Sequence, residues 1–337
     1  LADLGPADHL DDLAEAWHEA VLRGRQAGAE TTTLADALWG PLRSVLPDGT
    51  TRVWVVPDGA LVRVPWATLA GIHQDSQVAV AQAGSVRDLL ALRSTPVSPS
   101  GGAALIVGAI DFGAGSAPWA PLPGTATEVD VLVALAGGRP AVLLKGAEAT
   151  AAAVRAALPT ATYIHLATHG FFYGESTTSY AARGARGPDV EVGQRRLAPR
   201  EVSRIPLAES GLVFADANSG PGGTLTAEEL VGLDLSTARL VALSACDTGR
   251  GAEVTGQGVM GLQAAFASAG ARALLISLWP VDDAATAALM GHFYRALWED
   301  ALSPAEALQR AQSEVRAAEG WAAPVFWAGW VLSGDAL

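Results

Sequence analysis

Continuous apolar runs alternate with amphipathic segments through most of the chain after residue 101. The apolar runs predict strands buried on both faces, namely "AALIVGA" (103–109), "AVLLKG" (141–146), "TYIHLATH" (162–169), "GLVFAD" (211–216), "ARLVALSAC" (238–246) and "ARALLISLW" (271–279). Apolar residues at helical spacing predict helices at 125–136, 150–158, 258–269, 284–298 and 304–318. This alternation predicts a doubly wound α/β domain over residues 101–337, with a mostly parallel sheet flanked by helices.

A smaller N-terminal α/β subdomain is predicted over residues 1–100. Apolar residues at helical spacing predict two helices, around 10–21 and 34–42, and a third helix is expected over 81–92. The segment "RVWVVPDGALVRVPW" (52–66) predicts a small hairpin that turns at Pro57-Asp58-Gly59. The stretch "STPVSPSGG" (94–102) predicts the linker between the two parts, because it is rich in Ser, Pro and Gly.

Composition narrows the possible functions. The net charge of −13 disfavours nucleic-acid binding, which depends on clustered Lys and Arg. No apolar run approaches the ~20 residues needed to cross a bilayer, so we expect a cytoplasmic protein with no membrane partner. The single cysteine excludes an internal disulfide and a Cys-based zinc site. The glycines after the linker lack the ordered G-x-G-x-x-G of a nucleotide site, and no cofactor or metal is expected.

Two chemically useful residues follow predicted strands. His169 ends "TYIHLATH", and Cys246, the only cysteine, ends "ARLVALSAC". Sites in parallel sheets form beyond the carboxyl ends of the strands, so adjacent strands would bring the two side chains together. An imidazole that accepts the proton of a thiol supports acyl transfer. The N–H groups of Gly170 and Cys246 are the predicted oxyanion hole, because a residue without Cβ allows close approach.

Simpler explanations exist for each of these residues alone. A lone cysteine at a strand end is usually inert core, and a lone histidine beside aromatic residues is usually structural. His165 lies four residues before His169 on the same strand, and we interpret it as structural. Asp247 is interpreted as a group that shapes its loop. A serine hydrolase is not favoured, since Ser244 lies within the strand and no G-x-S-x-G elbow is present.

The segments "IHLATHG", "LVALSACDTGRG" and "GVMGLQAAFASAGARALLISLWPVDDAAT" closely resemble the CHAT domain, a bacterial member of the caspase, separase and gingipain group of cysteine peptidases. The resemblance extends from about Arg52 to the end of the chain. It implies a caspase-like fold and a catalytic dyad of His169 and Cys246, with the histidine oriented by backbone. It also implies a regulatory partner or upstream region, and we expect such a region because the sequence begins at Leu1. A catalytically silent scaffold for protein interaction is the alternative.

The segment "LWPVDDAAT" (278–286) carries the predicted substrate preference. It resembles separase's L-W-x-V-T-D, whose aspartate lines the pocket for an arginine side chain, and Asp283 is the matching position. Asp282 is the second candidate, although either aspartate has a ready alternative role at a helix N-terminus. A carboxylate beside the thiol would select Arg or Lys, so the resemblance implies cleavage of a protein or peptide after a basic residue.

Residues 173–206 interrupt the alternation and contain Arg183, Arg186, Arg195, Arg196, Arg200 and Arg204. A long loop of this kind is either a disordered insertion or a functional segment, which would be cut by the protein itself or would cover the groove. The other notable groups are expected to be scaffold: Glu306 in a capping box with Ser303, and Trp321, Trp327 and Trp330 near the last strand.

Overall fold

The computed structural model describes residues 2–24, 27–72, 78–94, 101–114, 119–172, 210–220, 222–244, 253–254, 258–259 and 261–336. Cys246, Asp247, most of the predicted linker and the whole of the Arg-rich segment 173–206 lie outside these ranges. The strands are β1 (Arg52–Val55), β2 (Ala79–Gln82), β3 (Ala104–Ile110), β4 (Ala141–Gly146), β5 (Tyr163–Ala167), β6 (Gly170–Phe172), β7 (Ser210–Val213), β8 (Thr224–Thr226), β9 (Leu240–Ser244), β10 (Glu253–Val254), β11 (Gly258–Val259), β12 (Ala273–Ser277) and β13 (Trp330–Gly334).

The helices cover both faces of the main sheet, and their core side chains repeat at helical spacing. They are α1 (Ala7–Leu22), α2 (Gly28–Val45), α3 (Trp66–Ile72), α4 (Val86–Ser94), α5 (Gly124–Ala136), α6 (Ala151–Ala157), α7 (Ala227–Val231), α8 (Leu262–Ser268), α9 (Asp283–Trp298) and α10 (Pro304–Ala317). Helix α10 begins with the predicted capping box of Ser303 and Glu306, with Pro304 at the first helical position.

The central sheet has eight strands in the order β1-β2-β13-β12-β9-β5-β3-β4. Strands β4, β3, β5, β9 and β12 are parallel, and β13 is antiparallel to β12. The chain moves from β3 outward to β4 and then returns to β5 on the other side of β3, so the strand order reverses between β3 and β5. The predicted fold class, a mostly parallel sheet with helices on both faces, is therefore confirmed.

The prediction of a hairpin at 52–66 is wrong. Strand β1 pairs in parallel with β2, and the residues after the turn, Gly59–Arg63, form a 3-10 helix. Gly59 has a φ of +58°, which glycine adopts without strain, so the turn directs the chain away from β1. Strands β1 and β2 thereby extend the main sheet, and the division near residue 100 stays a prediction.

Three other sequence predictions need correction. The expected helix over 258–269 begins only at Leu262, and Gly258–Val259 is instead strand β11. The expected helix over 81–92 begins only at Val86, because Ala79–Gln82 is a fully buried strand. The run "GLVFAD" does contain β7, but β7 pairs antiparallel with β6 and β8 in a separate three-stranded sheet. Only two residues separate β5 from β6, which is too short for the crossover that a parallel neighbour needs. The chain therefore turns and begins a new sheet beside the strand ends.

Candidate active site

The carboxyl ends of β5 and β9 lie side by side. The two strands are parallel neighbours, with Ala167 opposite Ser244, and the Thr168 N–H donates to the Ser244 carbonyl at 3.2 Å. His169 follows Ala167 by two residues in the sequence, just as Cys246 follows Ser244. The two described strands therefore end side by side, at the end of the sheet where parallel α/β folds carry their sites, and Cys246 itself lies outside the described residues.

His169 lies in an aromatic setting and is only 8% exposed. Its ring centroid is 5.0 Å from that of Phe112 and 5.4 Å from that of Trp119. Its Nε2 lies 2.8 Å from the Ala120 carbonyl oxygen. A carbonyl only accepts, so the hydrogen is on Nε2, and in the neutral ring Nδ1 keeps its lone pair. The ring is thus oriented by a backbone group with one nitrogen left to accept a proton.

Burial lowers the pKa of His169, because a charged imidazolium is poorly solvated in this setting. The bond to the Ala120 carbonyl and the negative charge of Asp283 oppose this effect without reversing it. At neutral pH the imidazole is therefore mostly uncharged, which is the form that serves as a base.

Asn218 holds the loop that carries Trp119 and Ala120. Its side-chain amide donates to the carbonyls of Trp119 and Gly113, at 3.0 and 3.1 Å, and its oxygen accepts from the Trp119 N–H at 3.3 Å. Asn218 comes after β7, so the second sheet fixes the loop against which the His169 ring packs. This side chain is a positioning group that acts through the loop.

Gly170, predicted to contribute to the oxyanion hole, begins β6 and lies opposite Leu212 of β7. The Val213 N–H donates to the His169 carbonyl at 2.9 Å. In an antiparallel ladder this bond makes Gly170 and Leu212 a non-hydrogen-bonded pair. The Gly170 N–H consequently points away from β7.

A cavity of about 400 Å³, including its open mouth, lies at the carboxyl ends of the strands. Three residues that carry hydroxyl groups line it at successive strand ends, namely Thr168, Ser244 and Ser277. The cavity wall also contains two acidic residues, Glu128 of α5 and Asp283 of α9, and the aromatic residue Trp330. No Lys or Arg occurs among the described residues of the wall. The cavity therefore has an acidic and hydroxyl-rich character.

The two candidate aspartates have different surroundings. Asp282 is the N-cap of α9, and its Oδ1 accepts from the N–H groups of Ala284 and Ala285 at 3.0 Å each. Asp283 is exposed and lines the cavity. Gly124, the first residue of α5, allows this arrangement, because a Cβ there would lie 2.5 Å from the Asp283 Cβ. Helix capping thus accounts for Asp282, whereas Asp283 faces the cavity.

A polar network lies under the cavity. The Tyr294 hydroxyl is 3.3 Å from Nδ1 of His165, Nε2 of His165 is 3.1 Å from Oε1 of Glu128, and the Ser244 hydroxyl donates to Oε2 of Glu128 at 3.1 Å. Burial raises the pKa of Tyr294 well above its usual range, and the charge of Glu128 adds to this, so the hydroxyl stays protonated and hydrogen-bonds to His165. His165 belongs to this network and not to the site opening.

Sequence reasoning missed three contributors to this region: Glu128, Asn218 and the Trp119–Ala120 loop. Trp330, expected to be core, is 2% exposed but also lines the cavity. A signal for Glu128 did exist, since it lies three residues after Thr125 and four before Leu132, on the stripe that α5 buries. The contacts of Asn218 join residues about a hundred positions apart in the sequence, and no local pattern indicates them.

None of the helices in the described ranges combines the length and apolarity needed to cross a bilayer. Within the same ranges, no three or more His, Cys, Asp or Glu side chains form a cluster suited to a metal ion.

The fold is shared with two peptidases of known structure. The Saccharomyces cerevisiae separase in its complex with securin superposes with a TM-score of 0.53 at 11% identity, over 87% of this chain and 16% of that one. The Arg-specific cysteine proteinase gingipain R superposes with a TM-score of 0.56 at 10% identity, over 92% of this chain and 67% of that one. The class defined by these neighbours is the caspase-like cysteine peptidase fold.

The CHAT domain family model matches residues 28–335, and the chain belongs to that family. Tetratricopeptide repeat protein 28 of Mus musculus is 30% identical over 219 residues, which cover 64% of this chain and 9% of that protein. The matched region thus spans less than a tenth of the length of this curated relative.

Proposed function

We propose that this chain is a cysteine endopeptidase whose nucleophile is Cys246 and whose base is His169. The observation that carries the proposal is the register of β5 and β9, with Ala167 opposite Ser244, because each catalytic residue comes two positions later in the sequence. The bond from Nε2 of His169 to Ala120 supports it further, since it leaves Nδ1 as a proton acceptor.

In the acylation step, Nδ1 of His169 takes the thiol proton of Cys246, and the sulfur attacks the scissile carbonyl carbon. The N–H groups of Gly170 and Cys246 stabilise the negative oxygen of the tetrahedral intermediate. The carbon–nitrogen bond then breaks, and the leaving amine takes the proton from His169. A thioester remains on Cys246.

In the deacylation step, His169 removes a proton from water, and the resulting hydroxide attacks the thioester carbon. The carbon–sulfur bond breaks, and the thiolate recovers its proton from His169. The products are a carboxylic acid and an amine, and the enzyme returns to its starting state without a cofactor.

Cleavage after a basic residue is the proposed specificity. Asp283 lines a cavity at the strand ends whose described wall contains no basic side chain, and a carboxylate there attracts Arg or Lys. Asp282 is the less favoured candidate, since its Oδ1 is occupied by two backbone N–H groups of α9.

Regulation by sequence outside this chain is part of the proposal. The separase structure contains a second protein, securin, and the curated relative is named for tetratricopeptide repeats. An upstream or partner segment that governs access to the groove fits both observations. The Arg-rich segment 173–206 is proposed to be self-cleaved or to cover the groove. Intact-mass analysis of the wild type and Cys246→Ala tests the first possibility, and identical uncut chains would exclude it.

A silent scaffold for protein interaction is the second candidate. It is favoured by the relative's name, which refers to repeats and not to an activity. A peptide library with Arg, Lys, Asp and Ala at the cleavage position decides between the two functions, with wild type and Cys246→Ala compared. Cleavage after Arg and Lys that is absent from Cys246→Ala supports the peptidase. Cleavage that persists in that variant contradicts it. If the wild type cleaves no peptide even with its natural partner present, the scaffold is favoured.

A further inference from the structure

Glu128 is an acidic group with no hydrogen-bond donor on one of its oxygens. The residue is 1% exposed and lines the cavity from the α5 side. Its Oε2 accepts from Ser244, but its Oε1 is buried without a hydrogen-bond partner. Nε2 of His165 lies 3.1 Å away, within ion-pair distance, but makes no hydrogen bond to this oxygen.

A buried carboxylate oxygen without a hydrogen bond destabilises the folded protein unless a donor reaches it. Burial of a carboxylate usually requires a paired cation and complete hydrogen bonding. The cavity beside Glu128 provides a route by which such a donor can enter from outside. Unlike Asp283, which is exposed, Glu128 is enclosed, so a ligand that reaches both carboxylates needs length as well as charge.

We propose that Glu128 is a second specificity residue, which binds the far end of a basic side chain whose charge is also attracted by Asp283. The choice of a substrate side chain as the occupant rests on the proposed function. Arginine fits better than lysine, because a planar guanidinium has five N–H donors and can contact two separate carboxylates. The indole of Trp330 in the wall favours a flat cation as well.

The test measures binding, which does not require turnover. Acetylated tripeptide amides that end in arginine or in citrulline are titrated into the Cys246→Ala protein by calorimetry. Citrulline has nearly the same shape as arginine but no charge. The preference is the ratio of the two Kd values, and it is measured in the parent, in Asp283→Asn and in Glu128→Gln. Thermal melting verifies that each variant is folded.

We expect the parent to prefer arginine by about 100-fold, since two charge-assisted contacts contribute. Because Asp283 is exposed, Asp283→Asn is expected to fold normally. It should keep a preference of about tenfold for arginine over citrulline, which Glu128 provides. Glu128→Gln is expected to lose a similar factor, through weaker arginine binding with little change for citrulline. Glu314→Gln, which neutralises an exposed carboxylate on α10 outside the cavity wall, is the matched control and is expected to retain the preference.

Two results would overturn the inference. Complete loss of the preference in Asp283→Asn would leave no contribution for Glu128, even if Glu128→Gln fails to fold. An equal loss of arginine and citrulline binding in folded Glu128→Gln would assign Glu128 a structural role. Neither result bears on turnover by Cys246, which the peptide library tests separately.

Discussion

Nε2 of His169 lies 2.8 Å from the carbonyl oxygen of Ala120, a residue 49 positions earlier in the chain. Because the carbonyl can only accept, this contact fixes the neutral ring with its hydrogen on Nε2 and an open lone pair on Nδ1. A backbone oxygen thus does the orienting that a carboxylate does in a Ser-His-Asp triad. The described part of the chain connects this contact to Asn218, through the loop that Asn218 holds.

The first prediction concerns the titration of His169. Burial lowers its pKa, so the ring is expected to gain its proton below the ordinary value of 6.5. Because the neutral ring is the base, activity is lost as pH falls through this lowered pKa and persists to more acidic pH than an exposed histidine would allow. NMR titration of the ring in Cys246→Ala, assigned with His169→Gln, measures the value. A midpoint at or above 6.5 would contradict the assigned environment.

The electrostatic contact of His169 with Asp283 gives a second prediction. The Asp283 carboxylate raises the pKa of His169, in opposition to burial. Asp283→Asn should therefore lower the midpoint of the His169 titration further in the same NMR experiment. The control is Asp8→Asn, because Asp8 is exposed on α1 and remote from His169 in the sequence. A higher midpoint for His169 in Asp283→Asn would contradict this prediction.

Asn218→Ala is expected to reduce kcat by about 10- to 100-fold, because a small displacement of His169, the proposed base, slows proton transfer. The variant removes the hydrogen bonds to Gly113 and to both backbone groups of Trp119. Ser219→Ala, which loses only a weak 3.5 Å contact to Ala114, is the neighbouring control. KM should change little, since Asn218 is absent from the cavity wall. A normal kcat in folded Asn218→Ala would remove the positioning role.

The two aspartates at the start of α9 are expected to have different roles: Asp282 stabilises the fold, and Asp283 determines specificity. Asp282→Ala removes an N-cap that accepts two N–H groups, and it should lower the free energy of unfolding by about 1 kcal/mol. Asp282→Ser keeps a capping oxygen and should lose much less. Neither variant should alter the ratio of arginine to citrulline binding. A changed ratio in Asp282→Ser would make Asp282 the pocket residue in place of Asp283.

Tyr294→Phe tests the buried network. It leaves Nδ1 of His165 without its hydrogen-bond partner in a fully buried position, and denaturant unfolding should show a loss of about 1–3 kcal/mol in the free energy of unfolding. Tyr163→Phe is the matched control on β5, because its hydroxyl makes no hydrogen bond within the described residues, and its effect should stay within about 0.5 kcal/mol. Equal effects of the two variants would contradict the network.

Sequence patterns predicted the buried strands of the sheet and the alignment of their carboxyl ends, because both depend on local rules. The buried strands β5, β9 and β12 follow from continuous apolar runs, and their shared carboxyl edge follows from the parallel arrangement. The turn at Pro57-Asp58-Gly59 misled the interpretation, since turn residues fix a change of direction but not the strand that pairs afterwards. The roles of Asn218 and Glu128 depend on distant contacts that no spacing rule contains.

The central claim is that His169 and Cys246 act as a pair, and the single cysteine allows a direct test, since every alkylation event reports on Cys246. The rate of iodoacetamide alkylation at pH 7 is measured in the wild type, in His169→Gln and in the control His9→Gln, whose histidine is exposed on α1. A paired imidazole raises the thiolate fraction, so His169→Gln should slow alkylation by about tenfold and His9→Gln should leave it unchanged. Equal rates in the wild type and folded His169→Gln would contradict the dyad.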